Sequence, residues 1–261
     1  MNASTEMSDA GSQPDEVHVE FTLALGEGKV HAEAIVPTAK VTLTQLLPVL
    51  QGLSSSIIGA VVGQVEEEGH AISCKAGCGA CCRQLVPISL FEAEAMAEWI
   101  RSLSQEQQVG LQQRFDHALR TFASTGFLEQ LDPAKLKDLS LEERKVMGQE
   151  YVRQGVACPF LQDESCSIHP NRPLICREYL VTSPAECCSH PTPETVKIVP
   201  MPVTLSSALY RAGRMLPGEV NGWIPLVFLM AWMKMGARPG DSFEAGGPKL
   251  LAAFLEQCGT A

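Results

Sequence analysis

Two clusters of cysteine constrain this chain more than any other feature of its sequence. Nine of the ten cysteines lie in two short windows, which residues 83–157 separate. An isolated cysteine is commonly a small buried hydrophobic residue, but four cysteines within nine residues, with Gly77 and Gly79 between them, are not explained in that way. We predict that the clustered cysteines bind metal, and they are Cys74, Cys78, Cys81, Cys82, Cys158, Cys166, Cys176, Cys187 and Cys188.

The spacing of these cysteines suits a soft metal. The first window reads C-x3-C-x2-C-C, and its small residues let the backbone bend so that neighbouring thiolates converge on one centre. Zinc takes four tetrahedral ligands, and a pair of zinc sites would use eight. A [4Fe–4S] cluster also takes four thiolates. Both metals accept thiolate, so spacing alone leaves iron–sulfur and zinc open.

The compartment affects how the cysteines are interpreted. The first residues, 1–16, contain neither a basic stretch nor an apolar stretch of the kind found in secretory signals. We therefore expect a cytoplasmic protein whose thiols stay reduced and serve as ligands rather than as disulfides. Cys258, which is isolated on an amphipathic helical pattern, is predicted to be a core residue.

Charge and hydropathy exclude two classes of partner. The formal net charge is −10, from 30 acidic and 20 basic residues, and an acidic chain repels phosphate backbones. The longest apolar run, Trp223 to Met233, is about half of the roughly 20 residues that a membrane helix needs. We expect no nucleic acid and no membrane insertion, and a protein partner stays an unidentified alternative.

Hydrophobic periodicity predicts a mainly α fold with a small N-terminal β-hairpin (α+β), and with irregular cysteine-rich loops packed on helices. In residues 16–25 and 29–37, apolar and polar side chains alternate on either side of a glycine turn, which is typical of a hairpin. Ser89 and Glu92 have the spacing of a helix capping box. Helices are predicted at 42–68 (one helix or two, bent near Pro48 or Gly52), 91–103, 104–123, 141–154, 205–215, 224–235 and 248–257, with a linker at 132–140.

The same patterns divide the chain into four parts. We predict a disordered tail at residues 1–15 and a hairpin and helix region at 16–70. The metal-binding cysteine region follows at 71–190. The last part, 191–261, is predicted to be helical and to pack on the same core.

Several residues beside the cysteines are candidates for supporting roles. His169 and His190 lie three and two residues after a cysteine, which allows ligation, although a surface or hydrogen-bonding histidine is the simpler interpretation. Arg172 and Arg177 flank Cys176, where guanidinium groups either offset the charge of several thiolates or form ordinary ion pairs. Arg83, directly after Cys82, has the same alternatives.

The motifs resemble a known family. The C-x3-C-x2-C-C window, the sequence CPFL at 158–161, and the Cys166–Cys176 segment with its Arg-Pro pair resemble the cysteine-cluster family of zinc- or iron-chelating domains. Its members include YkgJ-like proteins and proteins named flagellin N-methylase. The resemblance covers residues 74–188 and implies metal chelation. It matches seven cysteines to motif positions, with Cys187 and Cys188 where a further cysteine occurs, and it implies that His169 stands at a position taken by tyrosine or histidine.

Three functions are compatible with these observations. The first is a cytosolic protein that holds an iron–sulfur cluster or zinc, with a binding, redox or structural role. The second, which the resemblance suggests, is a protein-modifying enzyme similar to a flagellin lysine N-methylase, although no glycine-rich loop of a nucleotide-type cofactor is visible. The third is thiol exchange at the pairs Cys81-Cys82 and Cys187-Cys188, where a disulfide between neighbours is strained.

Overall fold

The computed structural model describes residues 15–25, 28–136, 139–214, 222–236 and 244–258. The predicted tail at residues 1–15 lies outside them except for Asp15. The fold is mainly α with a few small antiparallel strand pairs, as the sequence predicts. The helices are α1 (Leu43–Glu67), α2 (Leu90–Ser102), α3 (Gln105–Ser124), α4 (Pro133–Leu136), α5 (Leu141–Arg153), α6 (Leu174–Glu178), α7 (Leu205–Arg214), α8 (Leu229–Lys234) and α9 (Gly247–Cys258).

Short strands pair in twos and connect distant parts of the chain. The long hairpin β1–β2 is confirmed, with Glu16 opposite Pro37. The other pairs are β3 with β8, β4 with β7, and β5 with β6. The strands are β1 (Glu16–Leu25), β2 (Gly28–Pro37), β3 (Lys40–Thr42), β4 (Pro87–Ser89), β5 (Leu161–Gln162), β6 (Ser165–Cys166), β7 (Trp223–Pro225) and β8 (Glu244–Gly246).

Helix α1 is one continuous helix, so the predicted alternative of two helices is excluded. It begins with a capping box, in which Gln45 N donates to Thr42 Oγ1 at 3.2 Å and Thr42 N donates to Gln45 Oε1 at 2.9 Å. Pro48 stands inside the helix without ending it. Among the described residues α1 alone has the length and apolar composition of a membrane span. Its leucine face packs in the core of the protein, from Leu43 to Leu53.

Helix α2 begins where the sequence predicts. Ser89 Oγ accepts from Glu92 N at 3.1 Å, and Glu92 Oε2 accepts from Ser89 N at 2.8 Å, so the predicted capping box is confirmed. These reciprocal bonds satisfy backbone donors that a helix start leaves open. The box fixes the direction of α2, which packs against α1, α7 and α8.

Two predicted elements are wrong in part. The linker predicted at 132–140 contains the short helix α4, and a 3-10 turn at Leu128–Leu131 precedes it. The helix predicted at 224–235 starts instead as strand β7, and α8 begins only at Leu229. The run is apolar on every side, so periodicity does not separate a buried strand from a buried helix. Pro225 also lacks the N–H that a helix interior uses.

One large core fixes the position of the cysteine loops. It combines side chains of α1, α2, α7, α8 and α9 with three side chains of the second cysteine window. Those three are Phe160, Ile168 and Leu174, all nearly inaccessible to solvent. The cysteine region is therefore anchored on the helices by its own hydrophobic residues.

Candidate metal centre

The first cysteine window is a series of tight turns between α1 and β4. Cys78 N donates to Lys75 O at 3.1 Å, and Cys82 N donates to Gly79 O at 2.9 Å. Gly77 has a φ of +84°, which glycine adopts without steric cost. The window therefore coils its cysteines into a small volume, as the glycine spacing predicts.

A glycine also lets this window touch the second one. A Cβ atom built on Gly79 would lie 2.5 Å from Glu164 O and 2.5 Å from Leu161 Cδ1, closer than real Cβ contacts. The two segments are thus in direct contact at a point where no side chain fits. The exposed ion pair of Arg83 with Glu164 spans the same contact, with its shortest N–O distance at 2.6 Å. Arg83 therefore forms an ordinary ion pair, which is the simpler of the two roles that the sequence predicts for it.

The second window begins with a very short hairpin. Strand β5 pairs with β6, so that Leu161 lies opposite Cys166, and Leu161 N donates to Cys158 O at 2.8 Å. Asp163 and Glu164 form the turn with positive φ angles of 48° and 55°. Two consecutive positive φ angles are typical of the tight turn that joins hairpin strands. The C-x7-C spacing is therefore the length of a hairpin, which brings Cys158 and Cys166 to the same end.

Backbone hydrogen bonds join the two windows. Cys158 N donates to Cys82 O at 2.7 Å, and Ser73 N donates to Val181 O at 2.9 Å. The side chain of Gln84 donates to Cys188 O at 3.1 Å. Folding thus brings together cysteines that helices α2 to α5 separate in the sequence.

Two buried carboxylates position the helix that carries Cys176. Leu174 N, at the start of α6, donates to Glu92 Oε1 at 2.7 Å. At the other end, Glu178 accepts from Ser206 N at 3.1 Å and from Ser206 Oγ at 2.5 Å. Sequence analysis assigned Glu92 only to a capping box and missed Glu178, because neither long-range partner has a local signal. Burial raises the pKa of Glu178 to about 7 and also raises the pKa of Glu92.

The clustered cysteines are partly buried, with Cys188 fully buried, and their thiols repel one another when ionised. Burial raises the pKa of Cys158 to about 12, and the nearby Cys166 and Cys81 add to the shift. Burial likewise raises the pKa of Cys176. Cys81 differs, because a hydrogen bond from the Cys82 thiol lowers its pKa to about 7. A bound cation favours the thiolate forms that burial and repulsion disfavour here.

Arg172 supplies a positive charge to this group. Its guanidinium lowers the pKa of Cys74, Cys81 and Cys166, although burial is the larger influence on two of these thiols. Arg172 Nε is buried and has no hydrogen-bond partner. A buried donor without an acceptor is costly. A cluster of soft sulfur donors beside an unpaired guanidinium N–H fits an anionic thiolate–metal group.

The other predicted candidates lie outside the cysteine group or at its edge. Arg177 donates to the carbonyl oxygens of Arg172 and Pro170, so it braces the loop rather than forming a surface ion pair. Burial, with Arg172 and Arg177 nearby, lowers the pKa of His169. His190 is exposed, and its backbone N–H donates to Cys187 O.

The remaining cysteines have distinct surroundings. Cys187 packs beside Cys188 around the small apolar group of Val181 and Val196. Cys258 is half-buried against the main core, where its thiol donates to Phe254 O on α9. This position agrees with the core role predicted for Cys258. All ten cysteines are free thiols.

The thiols share one region but are not in coordination geometry. Within the described ranges, no three or more His, Cys, Asp or Glu side chains converge closely enough to hold a metal ion. Binding of a metal by several of these cysteines would therefore require their side chains to come closer together.

Comparison with known proteins agrees with the motif resemblance. Residues 73–197 match the model of the CxxCxxCC family, described as a "putative zinc- or iron-chelating domain". A search of curated proteins found no match. A search of solved structures found none either. The matched segment contains all nine clustered cysteines, and residues 73–197 of this chain are similar to the CxxCxxCC cysteine-cluster family.

Proposed function

We propose that residues 73–197 bind zinc or an iron–sulfur cluster through cysteine thiolates, and that the bound metal ties the two windows together on the helical core. The observation that carries this proposal is the junction at Cys82 O and Cys158 N, 2.7 Å apart, which brings two distant cysteine groups to one place. Clustered thiols in a reducing compartment are typical metal ligands. The proposed ligands come from the nine clustered cysteines.

The surrounding residues support the proposed site in three ways. Phe160, Ile168 and Leu174 exclude water from one side, because they belong to the main core. Arg172 offsets the negative charge of the thiolates. Helix α6, which carries Cys176, is fixed at both ends by Glu92 and Glu178.

Metal supplies positive charge and a cross-link at this site when it is bound. Structural metal sites contribute their binding free energy to folding, on the order of 10 kcal/mol for zinc in small domains. A structural or redox role in the cytosol is the function we assign. The enzyme alternative is not proposed, because it rests on the name of some family members and no contact described above points to a methyl donor.

Anaerobic purification of the full chain tests the proposal. Iron, zinc and acid-labile sulfide are measured per chain, together with the visible absorption spectrum. Iron with sulfide and a broad visible band supports a cluster, and a colourless protein with bound zinc supports a zinc centre. A well-folded, metal-free chain that takes up neither metal on reconstitution would contradict the proposal.

A matched variant makes this result specific. Cys258→Ser removes a cysteine that lies against the main core and outside the two windows. We expect this variant to keep the metal content of the wild-type chain. Loss of metal in Cys258→Ser would show that the metal is bound elsewhere.

A further inference from the structure

We infer that a pocket between α5, α7 and β7 binds a small aromatic carboxylate, whose carboxylate group pairs with the guanidinium of Arg144. The inference goes beyond the proposed function, because none of the clustered cysteines lines this pocket and its ligand needs no metal. The pocket has a volume of about 320 Å³. Small-molecule pockets range from about 300 to 1,000 Å³, so this one suits a compact ligand.

Segments from several parts of the chain build the pocket, which we call the aromatic pocket. Its apolar lining includes Leu85 and Pro87 from the segment that enters β4, Leu136 from α4, and Met147 from α5. Folding brings these segments together with α7 and β7. A mostly apolar pocket with a few polar groups is the usual form of a small-molecule site.

Two aromatic side chains give the pocket its name. The rings of Tyr210 and Trp223 lie 6.5 Å apart between centroids, and both residues line the pocket. Tyr210 Oη donates to Pro87 O at 2.9 Å, and Trp223 lies in β7 opposite Ser89. Both rings are therefore held by the fold. Fixed aromatic rings bind another ring in an offset or edge-on arrangement, which favours an aromatic ligand.

The thioether of Met147 adds to this preference. Met147 lies on α5 and lines the same pocket. A methionine sulfur makes favourable contacts with aromatic rings and adapts to the shape of a ligand. The body of the ligand is therefore expected to be a ring rather than a flexible polar chain.

The charge of the pocket selects the polar end of the ligand. Of the described residues that line it, Arg144 alone is charged. The whole chain has a net charge of −10, so most of its surface disfavours anions. The aromatic pocket is thus a place where an apolar anion meets a cation instead of further negative charge.

Arg144 is available for such a ligand. On the same helix, Lys145 pairs with Glu142 at 3.3 Å and Arg153 pairs with Glu150 at 3.0 Å. Arg144 has no ion pair with any residue that the structure describes. A guanidinium group binds a carboxylate through two parallel hydrogen bonds. Ser207 contributes a hydroxyl to the lining, which can donate a further hydrogen bond to a carboxylate oxygen.

Gly148 keeps space open in the wall of the pocket. It lies inside α5, and a Cβ atom built on it meets nothing within 4 Å. Glycine in a helix interior is less stable than alanine, so this position lacks a side chain at a cost to the helix. A large side chain here would enter the space that we assign to the ligand.

Isothermal titration calorimetry of the full chain with phenylacetate tests the inference. Two matched probes separate the parts of the proposed ligand: phenylacetamide keeps the ring without the charge, and cyclohexylacetate keeps the charge without the aromatic ring. Because Arg144 is an exposed residue, we expect the amide to bind about fivefold more weakly than phenylacetate. We expect cyclohexylacetate to bind about two- to tenfold more weakly.

Two variants locate the binding site. Arg144→Ala should weaken phenylacetate binding by about fivefold, whereas Arg153→Ala, which removes an exposed arginine of α5 outside the pocket, should leave it unchanged. Gly148→Leu should abolish binding while the chain stays folded, as measured by thermal unfolding. Should Gly148→Leu fail to fold, the comparison of the two arginine variants decides.

Three results would overturn the inference. They are no binding of phenylacetate to the wild type, equal binding of phenylacetate and either matched probe, and equal affinities of Arg144→Ala and Arg153→Ala. Metal content measured on the same samples keeps the two proposals distinct. Arg144→Ala should retain the metal of the wild-type chain, so a failure of ligand binding leaves the proposed metal site standing.

Discussion

The carboxylate of Glu92 accepts a hydrogen bond from Leu174 N at 2.7 Å, which connects the first turn of α2 with the first turn of α6. The same carboxylate closes the capping box with Ser89 at 2.8 Å. One buried side chain therefore satisfies backbone donors at the start of two helices, one of which carries Cys176.

Replacing this side chain tests its double role. We expect Glu92→Ala to lower the free energy of unfolding by about 1–3 kcal/mol, because it leaves buried donors without an acceptor. The chain should also retain less metal, since α6, which carries Cys176, loses its anchor. Urea denaturation and metal analysis measure both effects. Glu98→Ala, at an exposed position on the same helix, is the control, and an equal loss in both variants would refute the assignment.

Gly79 offers a test of the contact between the two windows. A Cβ at this position meets Glu164 O and Leu161 Cδ1, so we expect Gly79→Ala to shift the hairpin and cost about 1–3 kcal/mol. Gly59→Ala on α1 has open space around it and should instead stabilise the chain by about 0.5–1 kcal/mol. Thermal unfolding of both variants compares them, and a neutral Gly79→Ala would show that the windows are not in contact.

Arg172 is predicted to increase the metal affinity of the site without being a ligand itself. Removal of a supporting partner next to metal ligands typically costs 10–100-fold in metal affinity. We expect Arg172→Ala to show a loss of about that size in competition with a chelator. Arg120→Ala, at an exposed position on α3, should show no change. Equal affinities of the two variants would remove Arg172 from the site.

Glu178 gives the fold a dependence on pH. Its pKa is raised to about 7 by burial, compared with about 4.3 for an unfolded glutamate. Between these values the folded chain holds more protons than the unfolded chain, so the free energy of unfolding should fall as the pH rises. Urea denaturation at several pH values measures this slope. Glu178→Gln should flatten it, and an unchanged slope would contradict the assignment.

Local sequence signals were sufficient for much of the fold. Alternation around a glycine turn predicted the hairpin β1–β2, and the serine and glutamate spacing predicted the start of α2. The distribution of cysteines predicts that both windows take part in metal binding, and the fold brings these windows into contact.

The remaining features depend on partners far away in the chain. Strand β7 pairs with β4, and the uniformly apolar sequence around Ile224 does not indicate that pairing. Asp163 and Glu164 adopt positive φ without glycine, so the hairpin that brings Cys158 to Cys166 has no strong turn signal.

The hydrogen bond between Cys158 and Cys82 has a consequence for the unfolded chain. Residues 83–157 lie between the two residues of this contact, so they form a long loop that the contact closes. A metal bridge across its ends would restrict the unfolded ensemble as a disulfide does, on the order of 4 kcal/mol of loop-closure entropy for such a length. Metal would then stabilise α3 and α5, which it never touches, by limiting where their unfolded residues can go.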